Sequence, residues 1–258
     1  MPLLSSCYLP GIYAEDHSID VPLDWRGTSP AALAGAEQDE PSALAMEGAA
    51  ERPDSAFVGK SIKLFYRELC SPATVGRDLP LIVFFQGGPG GACPRPLSPQ
   101  SDGWIEEALR HFRVVLPDQR GCGRSSRVDG ARIAAVGAEA AAQGADPARR
   151  QAEYLKRFLA DSIIRDFEYL RLTEFGGRKW VTLGQSYGGF LTLANLSAFP
   201  GGSCRELYLR RHPPCAGKRR RGLCAHVPAH GRQDSGLLRA LPRGRDARLP
   251  CGRPSRRR

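Results

Sequence analysis

A glycine-flanked serine between a strand and a helix is the feature that most constrains this chain. In GQSYG (Gly184 to Gly188), the preceding KWVTL (Lys179 to Leu183) is a short β-rich run and the following GFLTLANLSAF (Gly189 to Phe199) is an apolar helix former. A nucleophile-elbow turn requires that context. The turn is so tight that the neighbours of its central residue must be small. Gly184 and Gly188 meet this demand, and Gly189 extends the clearance for the helix. Ser186 would then project its hydroxyl above a sheet edge at a helix N-terminus, whose positive dipole end favours a developing oxyanion. A glycine-rich turn with an incidental serine has the same five letters. The flanking strand and helix, together with a second loop upstream, favour the chemical reading.

That second loop is QGGPGG (Gln86 to Gly91), directly after LPLIVFF (Leu79 to Phe85). Acyl transfer needs two backbone N–H donors aimed at the carbonyl oxygen, one from the residue after the nucleophile and one from the loop after an earlier strand. Tyr187 and Gly88 are the candidates. Gly87 lets the backbone approach a substrate closely, and Pro89 limits the loop's freedom. A phosphate-cradling reading is weaker, because the GxGxxG spacing and a following Lys are both missing. A third stretch, PDQRGCGRS (Pro117 to Ser125), follows FRVVLP (Phe112 to Pro117). Its Asp118 and Arg120 are read as fixing the loop by charge-assisted hydrogen bonds rather than as doing chemistry.

The rest of the first 200 residues supports an α/β class. IDVPLDW (Ile19 to Trp25) and SIKLFYREL (Ser61 to Leu69) alternate apolar and polar residues as half-buried strands do. LIVFF and FRVVLP are continuous instead, which suggests strands covered on both faces and hence a parallel sheet. Between the first two, residues 27 to 56 are rich in Ala, Gly, Glu and Pro and read as a surface insertion with room for a short helix. One long helix is expected over Pro147 to Glu174, started by Asp146-Pro147, carrying Leu155, Leu159, Ile163, Phe167 and Leu170, and ended by Gly176-Gly177. Strands alternating with helices point to a doubly wound, mostly parallel sheet.

The chain's net charge of +10 is unevenly placed. Residues 1 to 200 hold 21 Lys and Arg against 24 Asp and Glu, a net of −3, whereas residues 201 to 258 hold 16 against 3, a net of +13. The first 200 residues therefore carry no nucleic-acid signature, and no nucleic-acid partner is expected. Apolar runs fall far short of the ~20 residues of a membrane span, and the start has no basic region followed by an apolar one. The protein is expected to be cytoplasmic with reduced thiols and no membrane partner. Its oligomeric state is not legible.

Taken together, VPLDW, LIVFFQGGPGG, LPDQRGCGRS, DSIIRDFEYLR and LGQSYGGF resemble the proline iminopeptidases (prolyl aminopeptidases), serine peptidases of the α/β-hydrolase fold, over about residues 8 to 199. The resemblance implies hydrolytic removal of an N-terminal residue, preferentially proline, from peptides through an acyl-enzyme, with no metal or other cofactor. It maps Ser186 onto the family's nucleophile and Gly88 and Tyr187 onto its oxyanion donors. Gln86 stands where many relatives have His, as in a subset of them. The acid and base do not map: in this fold they follow the serine in the order Asp then His, and nothing beyond Pro200 resembles those segments or the family's helical cap. A general esterase is the alternative enzyme, and a non-catalytic basic nucleic-acid-binding protein the alternative of another class.

Residues 201 to 258 form an Arg-, Cys- and Pro-rich tail, separate from the domain of residues 1 to 200 and expected to be disordered. A zinc site can be drawn from Cys204, His212, Cys215, Cys224, His226 and His230, but no Cys pair has the usual short separation. An Arg-rich nucleic-acid arm fits KRRR (Lys218 to Arg221) and RRR (Arg256 to Arg258). A triad of Asp234 with His226 or His230 lacks a readable strand before it. The favoured reading is an out-of-frame continuation of the hydrolase. Arg210 to Cys215, shifted by one base, permits the family-like peptide GGIPP, and GC-rich coding read out of frame yields this composition. On that reading the sheet should end at the KWVTL strand with its far edge unpaired, an invitation to aggregation.

Overall fold

The computed structural model describes residues 3–36, 54–101 and 103–209. The chain starts with an antiparallel hairpin, β1 (Leu3–Leu9) and β2 (Ile12–Pro22), turned at Gly11 with φ of 74°. A short helix α1 (Pro30–Ala34), capped by the Ser29 hydroxyl, lies in the segment expected to be an insertion; residues 37–53 of that segment lie outside the described residues. Then come β3 (Ser61–Cys70), β4 (Leu81–Phe85), α2 (Gly103–Ala108) and β5 (Arg113–Pro117). Three helices follow, α3 (Gly130–Ala142), α4 (Pro147–Lys156) and α5 (Ala160–Glu174), before β6 (Trp180–Gln185), α6 (Tyr187–Ala198) and β7 (Ser203–Leu209).

The seven strands form one sheet in the order β1-β2-β3-β5-β4-β6-β7. Strands β5, β4, β6 and β7 run parallel, as the continuous apolar runs suggest, while β1, β2 and β3 add an antiparallel half. Every residue of β4 is buried, because apolar layers cover both faces. On one face α5 and α6 pack Ile163, Phe167, Leu170 and Leu191 against Val83, Phe85, Val115 and Trp180. On the other, α2 and its C-terminal turn pack Trp104, Ile105, Ala108 and Leu109 against Ile82, Phe84, Val114 and Leu116.

The structure corrects four expectations. The strand read over Ile19 to Trp25 runs instead from Ile12 to Pro22 as β2, and β1 precedes it; β1 is almost wholly exposed, so its residues carry no burial pattern to read. The helix α3 was not expected, because only Val136, Gly137 and Ala140 of its thirteen residues are buried and its Ala-rich sequence shows a weak stripe. Its start is fixed by Asp129, whose carboxylate accepts from the Arg132 N–H at 2.8 Å.

The single helix over Pro147 to Glu174 is two. The chain breaks after Lys156, with Leu159 extended at φ −82°, ψ 172°, and the freed carbonyl of Arg157 accepts from Arg120 Nη1 at 2.7 Å. Leu155 and Leu159, read as part of one apolar stripe, are exposed. Finally, the sheet does not end at β6: β7 pairs parallel with it from Trp180↔Ser203 to Gln185↔Leu209, so the edge expected to be bare is covered. The tail readings on residues 210–258, including the frame shift, the zinc ligands and the basic arm, lie outside the described residues.

Candidate active site

Strand register brings the three marked loops together. β4 and β6 are parallel neighbours with Phe85 opposite Gly184, so Gln86-Gly87 and Gln185-Ser186 leave the same edge of the sheet side by side. β5 lies on the other side of β4, and the Asp118 loop leaves at that edge too. Loops at the carboxyl ends of parallel strands form the crevice in which open α/β sheets bind ligands.

At the elbow, Ser186 has φ 55° and ψ −118°, the one positive φ of a non-glycine residue among the described residues. Holding an L-residue there costs on the order of 1–3 kcal/mol, and such strain persists where surroundings over-determine it. Here they do. A Cβ on Gly184 would overlap the Gly188 carbonyl and meet Thr192 Oγ1 at 2.5 Å, and one on Gly188 would overlap the Phe85 carbonyl. The Thr192 hydroxyl also donates to the Gly188 carbonyl at 2.9 Å, locking the first turn of α6. The serine is exposed while both glycines are buried, so only the hydroxyl-bearing residue faces outward.

The QGGPGG loop lies against this turn. A Cβ on Gly87 would sit 2.6 Å from the Gln185 carbonyl oxygen and 3.3 Å from Ser186 Cβ, so the two backbones touch with no room for a side chain. Gly88 is exposed beside it, and the Gly88-Pro89 peptide is cis. Tyr187 is the first residue of α6, where a backbone N–H has no intrahelical acceptor. Its ring stacks on Phe190 at 5.8 Å, and its phenol is pushed above its ordinary value by burial, then by the charge of Asp161.

The Asp118 loop straps the glycine loop in place. Asp118, fully buried, accepts from the Cys93 N–H at 2.8 Å, from the Arg124 N–H at 2.9 Å and from Arg95 Nη2 at 2.5 Å. Gln119, which sequence reasoning did not single out, donates its amide to the Gln86 carbonyl at 2.7 Å. It lies inside the PDQRG stretch, so the motif marked the loop without marking this residue. Arg120 is buried in a bidentate pair with Asp166 and also donates to the carbonyls of Pro22, Leu23 and Arg157. Both charged residues therefore hold backbone.

A serine on such a strained turn beside a glycine loop can act as a nucleophile only where a base takes its proton. Two histidines fall among the described residues. His17 is on β2, four strand spacings from β6, on the order of 19 Å across the sheet. His111 precedes β5 at the opposite end of the strands from Ser186. Neither is placed to serve Ser186.

The sequence model of one family, described as alpha/beta hydrolase fold, matches residues 80–209. The chain is 37% identical over 201 residues to a proline iminopeptidase of Aeromonas sobria, covering 78% of this chain and 38% of the relative. It is 32% identical over 160 residues to a proline iminopeptidase of Aspergillus aculeatus, covering 59% of this chain and 33% of the relative. The chain thus spans little more than a third of the length of these curated relatives. A solved proline iminopeptidase-related protein of Thermus thermophilus overlaps 58% of this chain and 41% of its own at 22% identity, with a TM-score of 0.35. No helix among the described residues is long and apolar enough to cross a membrane.

Proposed function

The chain belongs to the α/β-hydrolase fold family, and from that premise we propose that it carries the nucleophile half of a serine aminopeptidase that removes N-terminal proline from peptides. The observation that carries this reading is the strained Ser186 turn pressed against Gly87. The two relatives named proline iminopeptidase support the substrate class.

Ser186 Oγ attacks the carbonyl carbon of the N-terminal prolyl residue. The resulting oxyanion accepts hydrogen bonds from the Gly88 and Tyr187 N–H groups. Collapse of the intermediate breaks the C–N bond, releases the shortened peptide as an amine and leaves a prolyl ester on Ser186, which water hydrolyses. Gly184 and Gly188 permit the turn, while Pro89, Asp118 and Arg120 hold the surrounding loops. Among the described residues none is assigned as the base that takes the hydroxyl proton or as the acid that orients it. We place the boundary of the hydrolase domain after residue 209, where β7 and the family match both end, rather than after residue 200.

Without a working base, turnover falls by on the order of 10⁴ to 10⁶, leaving roughly 10³-fold from the oxyanion hole and binding. The test is release of a proline arylamide chromophore by the full chain. Any turnover above that residual should be lost in Ser186→Ala, leaving only the part that the oxyanion hole and binding supply. Equal rates for Ser186→Ala and the unaltered chain would refute the assignment, and turnover of simple esters without any of the prolyl amide would replace it with a general esterase.

A further inference from the structure

Away from the serine turn, one buried polar cluster has no role in the reaction. Glu15 and His17 alternate along β2 and so share a face, and Glu68 on β3 is the direct cross-strand partner of Glu15. His17 Nε2 lies 3.8 Å from Glu15 Oε2 and 3.6 Å from Glu68 Oε1. His17 and Glu68 are each 2% exposed, yet both ring nitrogens and Glu68 Oε1 lack a hydrogen-bond partner among the described residues. Stranding such groups is costly unless something satisfies them.

These distances are too long for hydrogen bonds, but they suit three atoms sharing one ion. Metal–ligand bonds of ~2.0–2.2 Å in a tetrahedron place neighbouring ligand atoms about 3.4 Å apart. One donor atom from each of the three residues lies within 4.8 Å of the other two. We propose that Glu15, His17 and Glu68 form a site for one divalent transition-metal ion, of which zinc is the probe, clamping β2 to β3.

The surroundings preorganise the three ligands. The His17 ring stacks on Tyr66 at 4.8 Å and 12°, which fixes its plane. Tyr13 donates its hydroxyl to Glu15 Oε1 at 3.0 Å, leaving Oε2 for the site. Arg113 donates to Glu68 Oε2 at 2.9 Å and lies 3.6 Å from Glu15 Oε2, so it orients Glu68 with Oε1 toward the imidazole. With a neutral imidazole, two carboxylates and Arg113 sum to −1, which a dication converts to +1. A donor set of one imidazole and two carboxylates selects zinc-like ions over magnesium or calcium. Glu15 is partly exposed, which leaves a side for entry and for a water ligand. The clamp is remote from Ser186 and takes no part in hydrolysis.

The test uses the full chain, stripped with a chelator, desalted and titrated with zinc. One zinc per chain should be retained, and Tm should rise by roughly 5–10 °C at a hundredfold excess over Kd. His17→Gln and Glu68→Gln should each abolish the retention. Glu15→Gln, at the partly exposed position where folding is not at stake, should weaken it tenfold or more. Cobalt should give d–d absorption without a thiolate charge-transfer band. No rise in Tm would overturn the site. Zinc held equally by the variants, or a thiolate band, would place the metal on the cysteines and overturn it as well.

Discussion

Replacing Arg120 with Met should destabilise the protein strongly. Arg120 and Asp166 are both fully buried, and Arg120 bonds Asp166 through Nε at 2.7 Å and through Nη2. Its remaining protons go to the carbonyls of Leu23 and Pro22 at 3.0 Å each and of Arg157 at 2.7 Å. Met fills similar volume but leaves Asp166 with the Trp25 indole N–H alone, at 2.8 Å, and leaves three carbonyls without that donor. Breaking a buried pair by removing one partner costs about 3–5 kcal/mol, because the survivor is an uncompensated charge. That is a large share of the ~5–15 kcal/mol that holds a domain together.

At about 2–4 °C per kcal/mol for a chain of this size, Tm should fall by roughly 6–20 °C. Urea unfolding should show a lower midpoint at unchanged slope. Adding Asp166→Leu should restore a substantial part of the loss, since an apolar pair of matched volume has no charge to strand. An Arg120→Met variant within about 1 kcal/mol of the unaltered chain would refute the clasp, and with it our account of why the chain breaks between α4 and α5.

Two further outcomes follow from the same structure. Gly188→Ala should cost ~1–3 kcal/mol, because its methyl overlaps the Phe85 carbonyl and must push α6 away from β4. It should also lower prolyl arylamide hydrolysis by on the order of 10², since moving α6 shifts Ser186 relative to the QGGPGG loop; wild-type stability and rate together would count against the packed elbow. Acid should also weaken the fold in part through Asp16. Burial raises the pKa of this carboxyl, but Arg67 at 2.6 and 2.9 Å, together with Arg124, outweighs burial and holds it below its ordinary value of 3.8. A depressed carboxylate stabilises the fold above its unfolded pKa, and the gain disappears as pH falls from about 4 through the folded value. Urea midpoints between pH 6 and pH 2 should therefore drop less steeply for Asp16→Asn, and parallel curves would remove Asp16 as a contributor.

Local chemistry alone determined a definite part of this protein. LIVFF and FRVVLP had to be strands buried on both faces, because continuous apolar β-formers leave no face for water. GQSYG between a strand and an apolar helix had to be a sharp turn, because its glycines admit a backbone approach that no side chain permits. Charge counts separated the first 200 residues from the tail, because composition needs no fold to be read.

Tertiary structure decided what depends on partners distant in sequence. Leu155 and Leu159 fit a helical stripe, but the chain breaks between them where the Arg157 carbonyl meets Arg120, thirty-seven residues upstream, and no local pattern records that bond. Nor could periodicity show that Phe85 and Gly184 would be neighbours, the pairing that sets the glycine loop against Ser186. Nor did the residues after Pro200 advertise a seventh strand, since β7 gains its hydrogen bonds from β6 rather than from its own sequence. The cluster of Glu15, His17 and Glu68 is the clearest case. On β2 alone the first two read as ordinary alternation, and only the antiparallel pairing of Glu15 with Glu68 brings a second carboxylate to a buried, unpartnered imidazole.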